Sequence, residues 1–213
     1  MIVEHFPVGM LQCNCVILGD EKTKRAVVVD PGDDVSRIEA ALAKHGLTVA
    51  AIVATHAHID HVGGMADLKQ ITGAKAMLHE EDLELYRELE VQARWLGVAT
   101  PPIADIDAFL KDGGRVEFGA SGLDVLHTPG HSPGSVTFVG PGSAPLILSG
   151  DTLFAGSIGR TDLWGGSYDT IIASIRSQLL TMPDECAVIC GHGPMTTIGR
   201  ERAENPFLTK GLD

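Results

Sequence analysis

Long hydrophobic runs are missing from this chain of 213 residues. Its longest apolar stretches, "VAAIVA" (49–54) and "APLILSG" (144–150), are strand-sized, whereas a membrane-crossing helix needs about 20 apolar residues in a row. The opening "MIVEHFPVG" has neither the basic stretch nor the apolar segment of a signal peptide, so a cytoplasmic protein is expected, without a membrane partner. Positive charge is scarce: 16 Lys and Arg stand against 28 Asp and Glu, and no basic block occurs. Such a surface repels phosphates, which disfavours a nucleic-acid partner. Cysteine is sparse too. Cys13, Cys15, Cys186 and Cys190 form neither a CxxC pair nor a disulfide framework, which points to buried, reduced thiols. Repeats, low-complexity tracts and linkers are absent, so residues 1–213 are expected to form one domain with a single sizeable core.

What is present is an alternation of strands and helices. "MIVEHFPV", "CNCVILGD" and "RAVVVDPG" read as a meander of three strands. In "DDVSRIEAALAKHG", Val35, Ile38, Leu42 and His45 share one helical face, the Asp pair offers an N-cap and Gly46 a stop. "VAAIVAT" is a short apolar run suited to a strand covered on both faces. A helix through "MADLKQITG", a strand "AKAML" and a helix "EEDLELYRELEVQARWLG" follow. The second half continues with strands at "LDVLHTPG", "SVTFVG", "PLILSGD" and "CAVICGHG", a helix "YDTIIASIRSQLLTM", and a short terminal helix capped by Thr197. An α/β layered domain follows, with strands inside and helices outside.

Four of these strands end alike: "AAIVATHAHIDH", "DVLHTPGH", "LILSGD" and "AVICGHG" each run into a tight turn carrying a histidine or a carboxylate. Residues just past the carboxyl ends of strands converge on one edge of a layered α/β fold. His56, His58, Asp60, His61, His131, Asp151 and His192 are therefore expected to meet in space. Three of the chain's nine histidines fall within positions 56–61, a density that a decorative loop does not need. Five imidazoles and two carboxylates are too many for one tetrahedral ion but suit two divalent ions, zinc first and iron or manganese next. Asp151, alone on its turn, is the natural bridge. His5, His45, His79 and His127 read as structural, with His127 a candidate for a supporting role near the site.

"THAHIDHVGG", "TPGHSPGS", "SGDTLFAGSIGRTD" and "CGHGPMTTIGRERAENPF" resemble the successive motifs of the metallo-β-lactamase superfamily, in its glyoxalase II-like (hydroxyacylglutathione hydrolase) branch. The resemblance spans nearly the whole chain. It implies an αββα sandwich: two mixed β-sheets face to face, helices on both outer sides, and metals along one edge. Residue by residue, it places one ion on His56, His58 and His131, the other on Asp60, His61 and His192, and Asp151 between them. It resembles the short, single-domain type, without the separate C-terminal helical domain that helps hold glutathione in longer members.

The implied activity is metal-dependent hydrolysis of a small-molecule thioester linked to glutathione, such as S-D-lactoylglutathione. Paired metals lower the pKa of a shared water toward about 7 and so supply hydroxide at neutral pH; Asp60 would orient it. The alternatives are a persulfide dioxygenase using one iron on His56, His131 and Asp151, and a lactone or ester hydrolase on the same fold. Around this site, Arg160 and Asp162 are expected to lock their loop by a salt bridge. Phe154, Trp164 and Tyr168 either line an acyl pocket or pack the loop, and Arg200 and Arg202 are expected on a solvated helix face.

Overall fold

The computed structural model describes residues 1–142 and 145–209. Ala144, at the head of the "APLILSG" run, and residues 210–213 of the expected domain lie outside the described residues. Among the described residues, no helix is long and apolar enough to cross a membrane.

Two six-stranded mixed sheets form the centre. The first runs in chain order: β1 (Ile2–Val8), β2 (Cys13–Gly19), β3 (Arg25–Val29), β4 (Thr48–Val53), β5 (Lys75–His79) and β6 (Ala108–Leu110). Its first three strands are the expected antiparallel meander, and from β3 onward the pairing is parallel. Parallel neighbours need a crossover, and α1 (Val35–His45) and α3 (Met65–Thr72) supply two of them. The second sheet contains β7 (Arg115–Phe118), β8 (Ser121–His127), β9 (Val136–Val139), β10 (Ile147–Gly150), and, after the small hairpin β11 (Leu153–Phe154) and β12 (Ser157–Ile158), β13 (Ala187–Cys190) and β14 (Thr196–Thr197). Its order is β14-β13-β10-β9-β8-β7.

Period-two alternation sorts the apolar residues into layers. Val16, Leu18, Val27, Val29 and Val53 face Phe118, Leu123, Val125, Phe138 and Ile189 across the space between the sheets. The intervening Cys15, Ile17, Val28 and Ile52 point outward instead, onto Ile38 and Leu42 of α1, Met65 and Leu68 of α3, and Tyr86 and Leu89. On the far side, Ile147, Val188 and Cys190 pack against α6 (Tyr168–Ser174), α7 (Ile198–Glu204) and α8 (Pro206–Thr209) through Ile171, Ile198 and Leu208. The fold is therefore the expected αββα sandwich. Strands such as β3 are buried on both faces, which is why they read as unbroken apolar runs.

Local departures from the sequence reading have physical causes. The Asp pair does not cap α1: Asp34 is left-handed at φ 50°, and its carboxylate accepts from the Gly9 N–H in the β1–β2 turn. Gly46 closes the helix at φ 63° as expected. The long helix read at 80–97 is broken into a short 3₁₀ turn, α4 (Leu83–Arg87) and α5 (Leu89–Leu96), with the backbone turning at Glu88. Helix α6 passes into a π-type turn at Ile175–Leu179. Thr197 does cap α7, its hydroxyl accepting from the Arg200 N–H at 3.3 Å.

All four cysteines are buried and unpaired. Burial pushes the Cys13 and Cys190 thiols up to about 12, so little thiolate exists at neutral pH. Native protein should therefore consume almost none of a thiol reagent such as Ellman's at pH 8, while the denatured chain should consume four equivalents. Fast reaction of even one thiol in the native state would contradict this packing.

Candidate metal centre

All seven expected residues meet at one edge of the sandwich. Strand β4 delivers "THAHIDH": His56 lies in the turn just after it, His58 precedes α2 (Ile59–Val62), and Asp60 and His61 sit on that single helical turn. His131 comes from the loop between β8 and β9, Asp151 from the end of β10, and His192 from the end of β13. The edge is drawn together from both sheets. Asn14 of β2 donates its side-chain amide to the carbonyls of Cys190 and Gly193, each at 3.0 Å, and its backbone N–H to Gly191 at 2.7 Å. Gly191 itself must be glycine, because a Cβ there would overlap the Asp151 carboxylate and crowd His61.

Two clusters of donor atoms result, and Asp151 lies between them. In the first, His131 Nε2 is 3.2 Å from His56 Nε2 and 2.9 Å from His58 Nδ1. In the second, His192 Nε2 is 3.1 Å from Asp60 Oδ2 and 3.3 Å from His61 Nε2. The Asp151 carboxylate reaches both. Oδ1 is 3.4 Å from His61 Nε2, and Oδ2 is 3.6 Å from His131 Nε2 and 3.8 Å from His192 Nε2.

A bond on the far side orients three of the rings. His131 Nδ1 donates to the Arg160 carbonyl at 2.8 Å, and His61 Nδ1 donates to Asp30 at 2.9 Å. The Thr55 hydroxyl gives its proton to Asp30 at 2.8 Å and so accepts from His56 Nδ1 at 3.1 Å. The Nε2 atoms of His56, His61 and His131 are thereby aimed inward. Burial alone would lower His61 and His192, but the surrounding acidic groups outweigh it and raise both, so these two rings hold protons that a cation would displace. Burial and the crowding of like rings hold His56 well below the ordinary imidazole value, and burial followed by His131 lowers His58 to about 3. Both are neutral, the form that coordinates metal. Burial alone would raise Asp60 and Asp151, but the surrounding histidines outweigh it and keep both as carboxylates.

This arrangement fits a bound cation. Lone pairs of His56 and His131 face one another with no hydrogen to share, and Asp151 Oδ1 is buried without a hydrogen-bond partner among the described residues. A positive ion supplies what both lack. The chemistry open to the site is that of divalent metals on nitrogen and oxygen ligands.

Three supporting residues escaped the sequence reading. Asp30 was findable: "VVVDPG" runs from strand into carboxylate as the four recognised turns do. It takes bonds from the Thr55 N–H, the Thr55 hydroxyl and His61 while held at φ 52°. Asn14 and Asp82 carried no such signal. Asp82 is fully buried and accepts from the Ala57 N–H at 2.9 Å, the Gly134 N–H at 2.6 Å and the Ser132 hydroxyl at 2.8 Å. It thus ties the 56–61 turn to the 131–135 turn.

Around the site, Arg160 and Asp162 form the expected bidentate pair, both contacts at 2.8 Å. Phe154 lies near His192, with ring centroids 6.4 Å apart, whereas Trp164 and Tyr168 are exposed. His79 and His127 stack on each other, and His127 donates to the Pro133 carbonyl, a structural role. Arg200 is on a solvated face as expected. Arg202 is not: its guanidinium donates to the Leu180 and Met182 carbonyls and pairs with Asp184, clamping α7 to the preceding turn.

Sandwich, edge and donor set define the class, and the sequence comparison agrees: residues 8–192 match the metallo-beta-lactamase superfamily, to which this chain belongs. Hydroxyacylglutathione hydrolase GloC of Haemophilus influenzae is 38% identical over 215 residues, 98% of each chain. Among solved structures, the BLEG-1 B3 metallo-beta-lactamase superposes with a TM-score of 0.90 at 37% identity, covering 98% of this chain and all of the other. TTHA1623 in a di-iron-bound form gives a TM-score of 0.85 at 42% identity, covering 95% and 98%.

Proposed function

We propose that this protein is a two-metal thioester hydrolase of the glyoxalase II type, acting on S-D-lactoylglutathione or a related acylglutathione. One observation carries the reading: two clusters of histidine and carboxylate donors lie on either side of a single carboxylate, Asp151, whose buried Oδ1 has no hydrogen-bond partner among the described residues. The full-length similarity to hydroxyacylglutathione hydrolase GloC supports thioester hydrolysis among the chemistries of this fold.

His56, His58 and His131 would hold one ion, Asp60, His61 and His192 the other, with Asp151 between. When bound, divalent metals provide a water acidic enough to ionise near neutral pH and Lewis acidity toward the carbonyl oxygen. The chain's own residues do the rest. Asp30, Thr55 and the Arg160 carbonyl keep three imidazoles aimed inward. Asp60, held as a carboxylate, accepts a hydrogen bond from the attacking water and so orients it. A thiolate is a good leaving group, so neither a serine nucleophile nor a dedicated general acid is required. Zinc is the expected metal, since imidazole and carboxylate suit it. Iron and manganese accept the same ligands, and the di-iron neighbour shows that iron can occupy this fold.

Zinc-loaded protein should hydrolyse S-D-lactoylglutathione, contain two metals per chain, and lose turnover on chelation. Full activity after chelation would overturn the reading. So would oxygen uptake on glutathione persulfide by an iron-loaded sample, or hydrolysis confined to lactones or β-lactams.

A further inference from the structure

Beside the donor cluster lies a second feature that the hydrolytic chemistry does not use, a cavity of about 320 Å³. Its walls come from the turn between β1 and β2, the start of α1, helices α2 and α3, and the segment after α5. Val8, Leu11, Ile59, Leu96 and Val98 supply its apolar surface. Leu11, Leu96 and Val98 are 41%, 39% and 37% exposed, so the cavity leaves a contiguous apolar wall open to water. Among the described residues its charged lining is acidic: Asp33, Asp60 and Asp67, with no lysine, arginine or histidine. The volume is at the lower end of the range for small-ligand sites, about 300–1,000 Å³.

Asp60 links this cavity to the metal centre. It lines the cavity, and its Oδ2 is 3.1 Å from His192 Nε2. Asp60 is the donor that both share, so a substrate whose reacting carbonyl lies at the donor cluster can lay one of its two arms along this wall. The glutathione arm carries carboxylates, which Asp33 and Asp67 disfavour along this wall. A three-carbon hydroxylated acyl group would leave most of the volume unfilled. We propose that the cavity receives the acyl arm and that this arm is an apolar chain, so the preferred substrates are thioesters of longer, uncharged acyl groups. This rests on the hydrolase reading and specifies its substrate class; the thiol carrier lies outside the cavity.

The test compares acetyl-, butanoyl-, hexanoyl- and octanoylglutathione with the zinc-loaded enzyme. kcat/KM should rise about two- to fourfold per added methylene, as burial of each in an apolar site dictates. Val98→Asp and Leu96→Asp, both exposed positions that tolerate charge structurally, should collapse the octanoyl-to-acetyl ratio at least tenfold. In parallel, octanamide, a neutral probe, is titrated into the zinc-loaded protein while the methyl resonances of Leu11, Leu96 and Val98 are followed. Saturable shifts at those methyls support the assignment, and their absence overturns it. If thioesters turn over with no dependence on chain length, the cavity assignment falls and the hydrolase reading stands. If no thioester turns over yet octanamide saturates those methyls, the hydrolase reading falls and the cavity remains a site for apolar ligands.

Discussion

Asp151→Ala is expected to bind one metal at most and to hydrolyse thioesters at least about a thousandfold more slowly, because in the proposed two-metal site one carboxylate serves both ions. Its carboxylate reaches both clusters, Oδ1 toward His61 and Oδ2 toward His131 of one cluster and His192 of the other. Losing any one histidine weakens a single cluster, whereas losing Asp151 removes the group that fixes the spacing of both. The fold should survive, since no backbone group depends on this side chain for a hydrogen bond. Metal analysis on protein purified without added metal, with circular dichroism as the check on folding, reads the outcome. A variant that keeps two metals and near-normal turnover would refute the bridging role. Thermal melts add an independent readout: zinc should raise the wild-type midpoint more than that of Asp151→Ala, because a ligand that binds only the folded state stabilises it by an amount that grows with the logarithm of its affinity and with the number of sites filled.

The second large effect falls on a residue that touches no metal ligand. Asp82→Ala removes an acceptor that serves two buried N–H groups and one hydroxyl. Each buried donor left without a partner costs about 1–3 kcal/mol, so the sum should be about 3–5 kcal/mol. Because Ala57 belongs to the 56–61 turn and Gly134 to the 131–135 turn, their relaxation should also weaken metal binding about 10- to 100-fold, the usual scale for supporting residues. Urea unfolding of the metal-free protein isolates the first effect, and competition with a zinc chelator the second. Asp82→Asn keeps the shape but turns an amide NH₂ toward donors, so it should recover only part of each loss. Destabilisation without any change in zinc affinity would show that Asp82 supports the fold alone and not the geometry of the two turns.

How much of this was readable beforehand differs from residue to residue. The seven donors share one signature, an apolar strand running into a polar turn, and that signature survives in one dimension because strand ends lie at one edge in a layered fold. Asp30 has the same signature and could have been read with them. Asp82 could not: it sits in an acidic run, "HEEDLE", whose ordinary meaning is a solvated helix start, and only tertiary burial singles it out. The failed N-cap at Asp34 and the break at Glu88 share a cause. Capping and helix continuity were judged from local propensity, while contacts far away in sequence decide them, as the bond between Gly9 and Asp34 illustrates. Arg202 was misread for the same reason: its partners, Leu180 and Met182, are some twenty positions back along the chain.

By itself, then, the amino-acid order determined the layering, through period-two burial, and the identity of the donor atoms, through side-chain chemistry placed at strand ends. Only the tertiary structure decided which ring nitrogens point inward, that one oxygen of Asp151 is left without a partner among the described residues, and that an acidic, apolar-walled cavity adjoins Asp60. Periodicity is a property of neighbours along the chain and can be read there. A tautomer, an orphaned oxygen or a cavity depends on the positions of groups distant in sequence, and these are settled only when the two sheets pack together.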